Sequence, residues 1–229
     1  MRGKKMKKVL FTATVDSHIL QFHIPYLKMF KEKGYEVHVA SKGEEEIKYC
    51  DKHFNIPFER FPLNPKNLKA YKELKKIIND NQYKIIHCHT PVGGVITRLA
   101  ARKARKQYNT KVIYTAHGFH FYKGAPLLNW IIYYPIEKIC SKWTDCLITI
   151  TNEDFELAKR KFEKCKKIEH VCGVGLNTDR FDIEITEEDL EELRKEIGIE
   201  KDNIVLTYVA ELNKNKNQML LIKTMEQLI

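Results

Sequence analysis

The chain has 229 residues, 43% of them hydrophobic and 31% charged, with 40 Lys and Arg against 30 Asp and Glu for a formal net charge of +10. That length supports one full domain with a sizeable core, or one domain and part of another, and the absence of a long Pro/Gly/Ser linker favours a soluble globular protein. No run of about eighteen uncharged apolar residues occurs, so a spanning helix is not expected, and the basic excess favours anionic partners without choosing among nucleic acid, phosphorylated small molecules and an acidic membrane surface.

Taken in chain order, a basic start runs straight into the strand-like Lys8 to Thr14, and no secretory leader is expected. Phe22, Tyr26, Leu27 and Phe30 recur at helical spacing and predict a helix from Phe22 to Lys33, stopped by Gly34. Tyr35 to Ala40 follows as a strand, Glu44 to Phe54 as a short helix, Phe58 to Phe61 as a weak strand and Lys66 to Asn79 as an amphipathic helix. Lys84 to Cys88 and Lys111 to Thr115 read as strands flanking a helix from Gly93 to Gln107. Leu127 to Lys142 is a helix that Pro135 should kink or divide, followed by a strand, Cys146 to Ile150, and a helix, Glu153 to Lys164. Beyond Val171 come the glycine-bearing CGVGLNTDRF, a charged helix from Thr186 to Ile197 capped by Thr186, a strand from Ile204 to Val209 and a last helix from Asn217. Strands joined by connections of helical length pair in parallel, and short unalternated apolar runs such as KVIYT and CLITI fit a sheet covered on both faces. The expected class is α/β, an open doubly wound parallel sheet.

Ligands of such sheets bind beyond the carboxyl ends of the strands. That makes TATVDSHILQFH, the Ser41–Lys42–Gly43 stretch, HTPVGG, AHGFHFYKG and the Thr151–Asn152–Glu153 turn the five candidate loops. His117 is the leading candidate, because an imidazole there can donate to or accept from a hydroxyl or phosphate near neutral pH, and Gly118 permits close approach or an unusual backbone angle. Asp16 and His18 follow the first strand, and His89 and Thr90 follow the strand Lys84 to Cys88. His87 and His89 share a face and can pair on a metal, but no clear third and fourth ligand follows, and no metal or cofactor is expected. Gly93 and Gly94 open a helix without a GxGxxG or P-loop signature, so close packing explains them as well as phosphate binding does. Arg98, Arg102 and Arg105 form a basic stripe suited to anionic headgroups or to a plain solvated face. The aromatic stretch Ala125 to Trp143 suits a buried helix or one lying on a membrane interface. Six cysteines without a CxxC pair point to a reducing cytosol.

Six motifs together resemble the retaining glycosyltransferases of family 4, particularly those of bacterial capsule and exopolysaccharide synthesis: VLFTATVDSHILQFHIPYL, IIHCHTPVGG, YTAHGFHFYKG, YYPIEKICSKWTD, GVGLNTDRF and AELNKNKNQ. The resemblance implies a GT-B arrangement of two Rossmann-like lobes, with residues 1–171 as the N-terminal, acceptor-side lobe. Residues 172–203 would be the interlobe segment and 204–229 the start of a nucleotide-sugar lobe that is incomplete here. It implies transfer, with retention, from a nucleotide diphosphate sugar, UDP-linked, to a polyprenyl-diphosphate-linked sugar. The enzyme would work from the cytoplasm at the anionic inner face of the cell membrane, with no nucleic acid involved. His117 matches the family histidine near the transferred sugar. Asp16, His18, His89, Thr90, Gly118 and Asn152 fall on the acceptor side, and Lys214 and Lys216 at the donor phosphates. Cys172 stands where the family has Asn, Leu176–Asn177 at or beside its usual Asp, and Ala210–Glu211 where Gly–Arg is common. The family's Glu-x7-Glu motif is not found before Ile229, so this chain alone is expected to be inactive. Two alternatives remain open: a nucleotide-sugar epimerase, and an anionic-lipid-binding or scaffolding module.

Overall fold

The computed structural model describes residues 6–175, 178, 181–214, 216 and 217–227. By its contacts the chain divides into two units, Met1–Leu176 and Asn177–Ile229.

In the first unit seven strands form one parallel sheet: β1 (Lys8–Val15), β2 (Glu36–Lys42), β3 (Lys52–Asn55), β4 (Ile85–His89), β5 (Lys111–Ala116), β6 (Cys146–Thr149) and β7 (Ile168–His170). The sheet order is β3-β2-β1-β4-β5-β6-β7. The chain therefore runs outward from β1 in one direction, returns, and runs outward from β4 in the other, which puts the topological switch between β1 and β4. The alternation of side chains along a strand explains why both faces are covered. On β1, Leu10 belongs to a core shared with Leu74, Ile86, Val112 and Leu157, whereas Val9, Phe11 and Ala13 face a second core with Ile19, Leu27, Val37 and Val39. Helices α1 (Asp16–Phe22) and α2 (Ile24–Glu32) supply the smaller core. Helices α3 (Lys66–Asn81), α4 (Pro91–Gln107), α5 (Leu127–Ser141) and α6 (Asn152–Lys161) contribute residues to the larger one or pack against it.

Several local expectations are corrected. The helix expected from Phe22 to Lys33 is two helices broken at His23. Pro25 has no amide hydrogen to give to a preceding turn, so it serves in the first turn of a new helix, and Ile19 to Phe22 close the earlier one. Residues 44–54 form no helix. Their end is β3, which pairs with β2 from His38↔Lys52 to Ser41↔Asn55, so sheet pairing overrides local propensity. Phe58 to Phe61 is not a strand; Phe58 is buried, and the Asn67 side chain accepts from the Glu59 amide and donates to the carbonyls of Glu59 and Phe61. Helix α5 continues through Pro135 undivided. Strand β7, too short and too charged to stand out as an apolar run, pairs along β6.

In the second unit α7 (Glu187–Glu196) begins with a reciprocal capping box. The Asp189 amide donates to Thr186 Oγ1 at 3.1 Å, and the Thr186 amide donates to Asp189 Oδ2 at 2.9 Å. Helix α8 spans Gln218–Met225. Residues 204–209 form no strand, and Ile204 and Val209 are about nine-tenths exposed, at 91% and 90%. A strand exists only as a ladder with a neighbour, and no described residue pairs with this segment. Leu176 and Asn177, read above against the usual family Asp, lie outside the described residues.

Candidate active site

The switch point sets the site. The ends of β1, β4 and β5 lie side by side, with Thr12 beside Cys88 and His89 beside Thr115. The end of β4 carries His87 and His89, α1 carries His18 directly after β1, the loop after β5 carries His117, and the break between α1 and α2 adds His23. The His18 and His117 rings meet edge to face with centroids 4.6 Å apart, the His23 and His89 rings stack at 3.7 Å, and His87 lies 4.2 Å from His89. His87 Nε2 is 2.9 Å from Thr115 Oγ1. Both ring nitrogens of His23 and of His89, and Nε2 of His18 and of His117, are buried without a hydrogen-bond partner.

Burial disfavours the charged imidazole, and neighbouring histidines add repulsion. His18 is lowered to about 4 by burial and then by His117. His87 is lowered to about 3 by the same two causes in the same order, and His23 to about 2 by burial followed by His18, His87 and His117. His89 is held well below its ordinary value by burial first and then by four neighbouring histidines, and burial lowers His117. The cluster is thus neutral at pH 7, a set of acceptors and one-proton donors with no fixed positive charge.

Two cavities open beside it. One, of about 210 Å³, is lined by Phe22, His23, Tyr26, His87, His89, Thr115, His117 and residues of the 148–174 stretch. The other, of about 410 Å³, is lined by His18, Gln21, Arg60, Thr90, Pro91, Val92, His120 and Tyr133 among others. The second lies at the first turn of α4, where Pro91 has no amide hydrogen and the Gly94 amide donates to the Thr90 carbonyl at 2.8 Å. Thr90 holds that turn in a left-handed backbone, φ 64 and ψ 150, uncommon for a β-branched residue. Its Oγ1 is fastened to β1 by the Thr14 amide at 3.1 Å and shares a hydrogen with Thr14 Oγ1 at 2.7 Å.

The AHGFHFYKG loop alternates its side chains between core and cavity. Phe119 and Phe121 are buried and pack with Phe162, while His117 and His120 reach the cavities. Gly118 has φ +121 with nothing near its absent Cβ, so it answers the backbone angle and not close approach. Two carboxylates at the start of α6 tie the loop down: Asp154 accepts from the Phe119 amide at 3.3 Å and Glu153 from the Lys123 amide at 2.8 Å.

The expected residues therefore separate. His18, His89, Thr90 and His117 converge. Asp16 is a brace: its buried carboxylate accepts from Ser41 Oγ at 2.5 Å and the Glu45 amide at 3.1 Å, with His53 Nε2 3.1 Å away. Asn152 is exposed in the first turn of α6 and lines neither cavity. Lys214 and Lys216 are exposed in the second unit. The basic stripe dissolves on inspection. Arg98 is buried and clamps Glu137 of α5 through two bonds of 2.8 and 3.0 Å, Arg105 grips Asp145, and Arg102 lies over the Trp143 ring. Gly94 is a packing glycine, since a Cβ would meet Tyr114 Cε2 at 2.5 Å. His23, Arg60, Gln21 and Tyr133 are additions; His23 could have been noticed as the histidine preceding Ile-Pro, whereas nothing local marks Arg60.

The sequence matches the family described as Glycosyl transferase 4-like over residues 8–152. It is 52% identical over 217 residues to EpsD of Bacillus subtilis (strain 168), which carries a provisional glycosyltransferase name; the match covers 95% of this chain and 56% of that protein. It is 31% identical over 155 residues to the UDP-Gal:alpha-D-GlcNAc-diphosphoundecaprenol alpha-1,3-galactosyltransferase of Escherichia coli, covering 67% of this chain and 38% of the relative. The chain thus spans about half the length, or less, of these curated relatives. Among solved structures, sucrose-phosphate synthase of Thermosynechococcus elongatus aligns with a TM-score of 0.67 at 14% identity over 96% of this chain and 60% of that one, a likeness of fold. The first unit is accordingly a Rossmann-like parallel α/β domain resembling one lobe of the GT-B fold.

Proposed function

The chain belongs to the glycosyl transferase 4-like family, and from that premise we propose that it is the acceptor-side part of a retaining glycosyltransferase of polysaccharide synthesis. The donor is a nucleotide diphosphate sugar, UDP-linked, and the acceptor a sugar on a polyprenyl diphosphate. The observation that carries this reading is the cavity where α4 begins, lined by Arg60, His18, His120 and Thr90, directly beside His117. A guanidinium beside imidazoles and a hydroxyl suits an anionic diphosphate or sugar hydroxyls. Neutral His117 orients the acceptor hydroxyl through Nδ1, since its Nε2 is buried away from solvent. In the reaction the bond from the anomeric carbon to the donor phosphate oxygen breaks, and the acceptor oxygen bonds to that carbon on the same face. The acceptor proton passes to the departing phosphate oxygen, so no protein nucleophile is needed. Lys214 and Lys216 are the proposed cations for the diphosphate charge that develops.

The proposal extends to a second lobe. Residues 172–203 are read as the interlobe segment and 204–229 as the beginning of the nucleotide-sugar lobe, so that this chain alone does not turn over. The relatives' greater length supports this. Peripheral attachment to the inner face of the membrane moves from α4 to α5. Leu127, Leu128, Ile131 and Ile139 are exposed there, with Lys138 and Lys142 on the same helix or at its end. Apolar side chains flanked by lysines suit an anionic interface. Among the described residues no helix is long and apolar enough to cross a membrane.

The test is a mass-spectrometric product assay on the full-length protein, given polyprenyl-diphosphate sugar and a panel of nucleotide sugars. The expected result is a gain of one sugar on the lipid with one donor and none with the 229-residue chain. Conversion of the nucleotide sugar without an acceptor would replace the proposal with epimerisation. Saturable vesicle binding without any turnover would replace it with a binding module.

A further inference from the structure

We propose that the histidine cluster at the β1/β4 switch is a binding site for a divalent late first-row metal ion, zinc above all, with His18, His23, His89 and His117 as ligands. One ring nitrogen from each of these four lies within 4.8 Å of the others. Four nitrogens at about 2.0 Å from a zinc ion stand about 3.3 Å apart in a tetrahedron, so the longest separation has to close by about 1.5 Å, within reach of small ring rotations. The second observation is independent of the spacing: six ring nitrogens of these same residues are buried with no hydrogen-bond partner. Buried polar atoms without partners are rare and call for a ligand, a water or an ion. One four-coordinate cation takes a lone pair from each of the four rings at once, which leaves the second nitrogen of His23 and of His89 as a ring N–H.

The chemistry selects the ion. Neutral imidazole is a ligand for zinc, copper and nickel, whereas magnesium and calcium need oxygen donors, and no carboxylate belongs to the four-residue set. His18 and His117 are only part-buried, and the 210 Å³ cavity that His117, His23 and His89 line provides the way in. His87 is excluded because its Nε2 already meets Thr115. Sequence spacing alone offered only His87 and His89 as a possible pair, without a third or fourth ligand. The proposed set draws on the α1–α2 segment after β1, the end of β4 and the loop after β5.

The test uses the 229-residue chain and the metals alone. Titration with Co²⁺ should give one ion per chain and the intense visible bands of a four-coordinate site, bleached by an equivalent of Zn²⁺ and untouched by Mg²⁺. X-ray absorption at the zinc edge of the wild-type chain should then show three or four imidazoles. A His18→Gln/His117→Gln variant, which changes the two less buried rings and is checked for fold by circular dichroism, should bind at least tenfold more weakly. Absent cobalt bands, fewer than three imidazoles on zinc, or wild-type affinity in the folded variant would each overturn the proposal. Because the zinc-edge measurement needs no variant, a misfolded substitution does not rescue it.

Discussion

Removing the carboxylate of Glu137 should be among the most damaging single changes in the first unit. Arg98 has 1% of its side chain exposed and Glu137 9%. The guanidinium gives Glu137 both terminal nitrogens at 2.8 and 3.0 Å, gives Nε to the Gly94 carbonyl at 2.9 Å, and lies 3.9 Å above the Tyr114 ring. In Glu137→Ala the carbonyl and the ring remain, but the counter-charge goes and a full cation stays out of water. Breaking a buried pair from one side costs about 3–5 kcal/mol, a large part of the roughly 5–15 kcal/mol that holds a domain folded. For a slope near 2 kcal/mol per M, the urea midpoint falls by about 2 M. Both tryptophans, Trp130 and Trp143, lie in or just after α5, so their fluorescence follows this unit alone. The control is Arg98→Met/Glu137→Leu, which removes both charges and should be milder than Glu137→Ala. A loss below about 1 kcal/mol in the single variant, or a double variant worse than the single, would refute the argument.

Gly94→Ala places a methyl 2.5 Å from Tyr114 Cε2, and should lower stability by about 1–3 kcal/mol in the same urea experiment, while Gly118→Ala meets no atom and acts only through its φ of +121. Acid should loosen the fold before carboxylates titrate. His18, His23 and His87 have folded values of about 4, 2 and 3 against 6.5 unfolded, so below about pH 6.5 the unfolded chain binds more protons and stability falls with pH. Each histidine contributes at most about 1.4 kcal/mol per pH unit. The midpoint should be level above pH 7 and drop between pH 6.5 and 5.5; equal midpoints across that range would contradict the buried neutral cluster. Thr186→Ala removes the hydroxyl that caps α7 and should cost its helix about 1 kcal/mol, read as faster amide exchange in Glu187–Asp189.

What sequence could reveal follows from the range of the forces involved. Strands β1, β2, β4, β5 and β6 of the doubly wound sheet were legible because an apolar run covered on both faces leaves a local signal, as in CLITI, and Thr186 was legible because a cap acts over three residues. Residues 44–54 were misread because their state is decided by β2, a partner that local composition does not contain. The same holds in reverse for residues 204–209, strand-like in composition but without a paired neighbour among the described residues. At the site, His117 and His89 could be singled out because strand ends in a parallel sheet face the ligand side. The convergence of His18 and His23 on them could not, since it depends on the break before Pro25 and on the adjacency of β1 and β4. Arg98 looked like a surface charge because its partner, Glu137, is 39 positions away.

The central claim is that the carboxyl edge of β1, β4 and β5 is where the acceptor meets the transferred sugar, with His117 orienting it. The most direct measurement is the kcat/KM for sugar transfer by the full-length protein and its His117→Ala variant, alongside thermal unfolding of both. The account predicts a loss of about 100-fold or more, the scale on which reacting groups lose alignment, at a melting temperature within a few degrees of wild type. Transfer within a factor of three of wild type by a folded His117→Ala protein would contradict it and move the chemistry elsewhere.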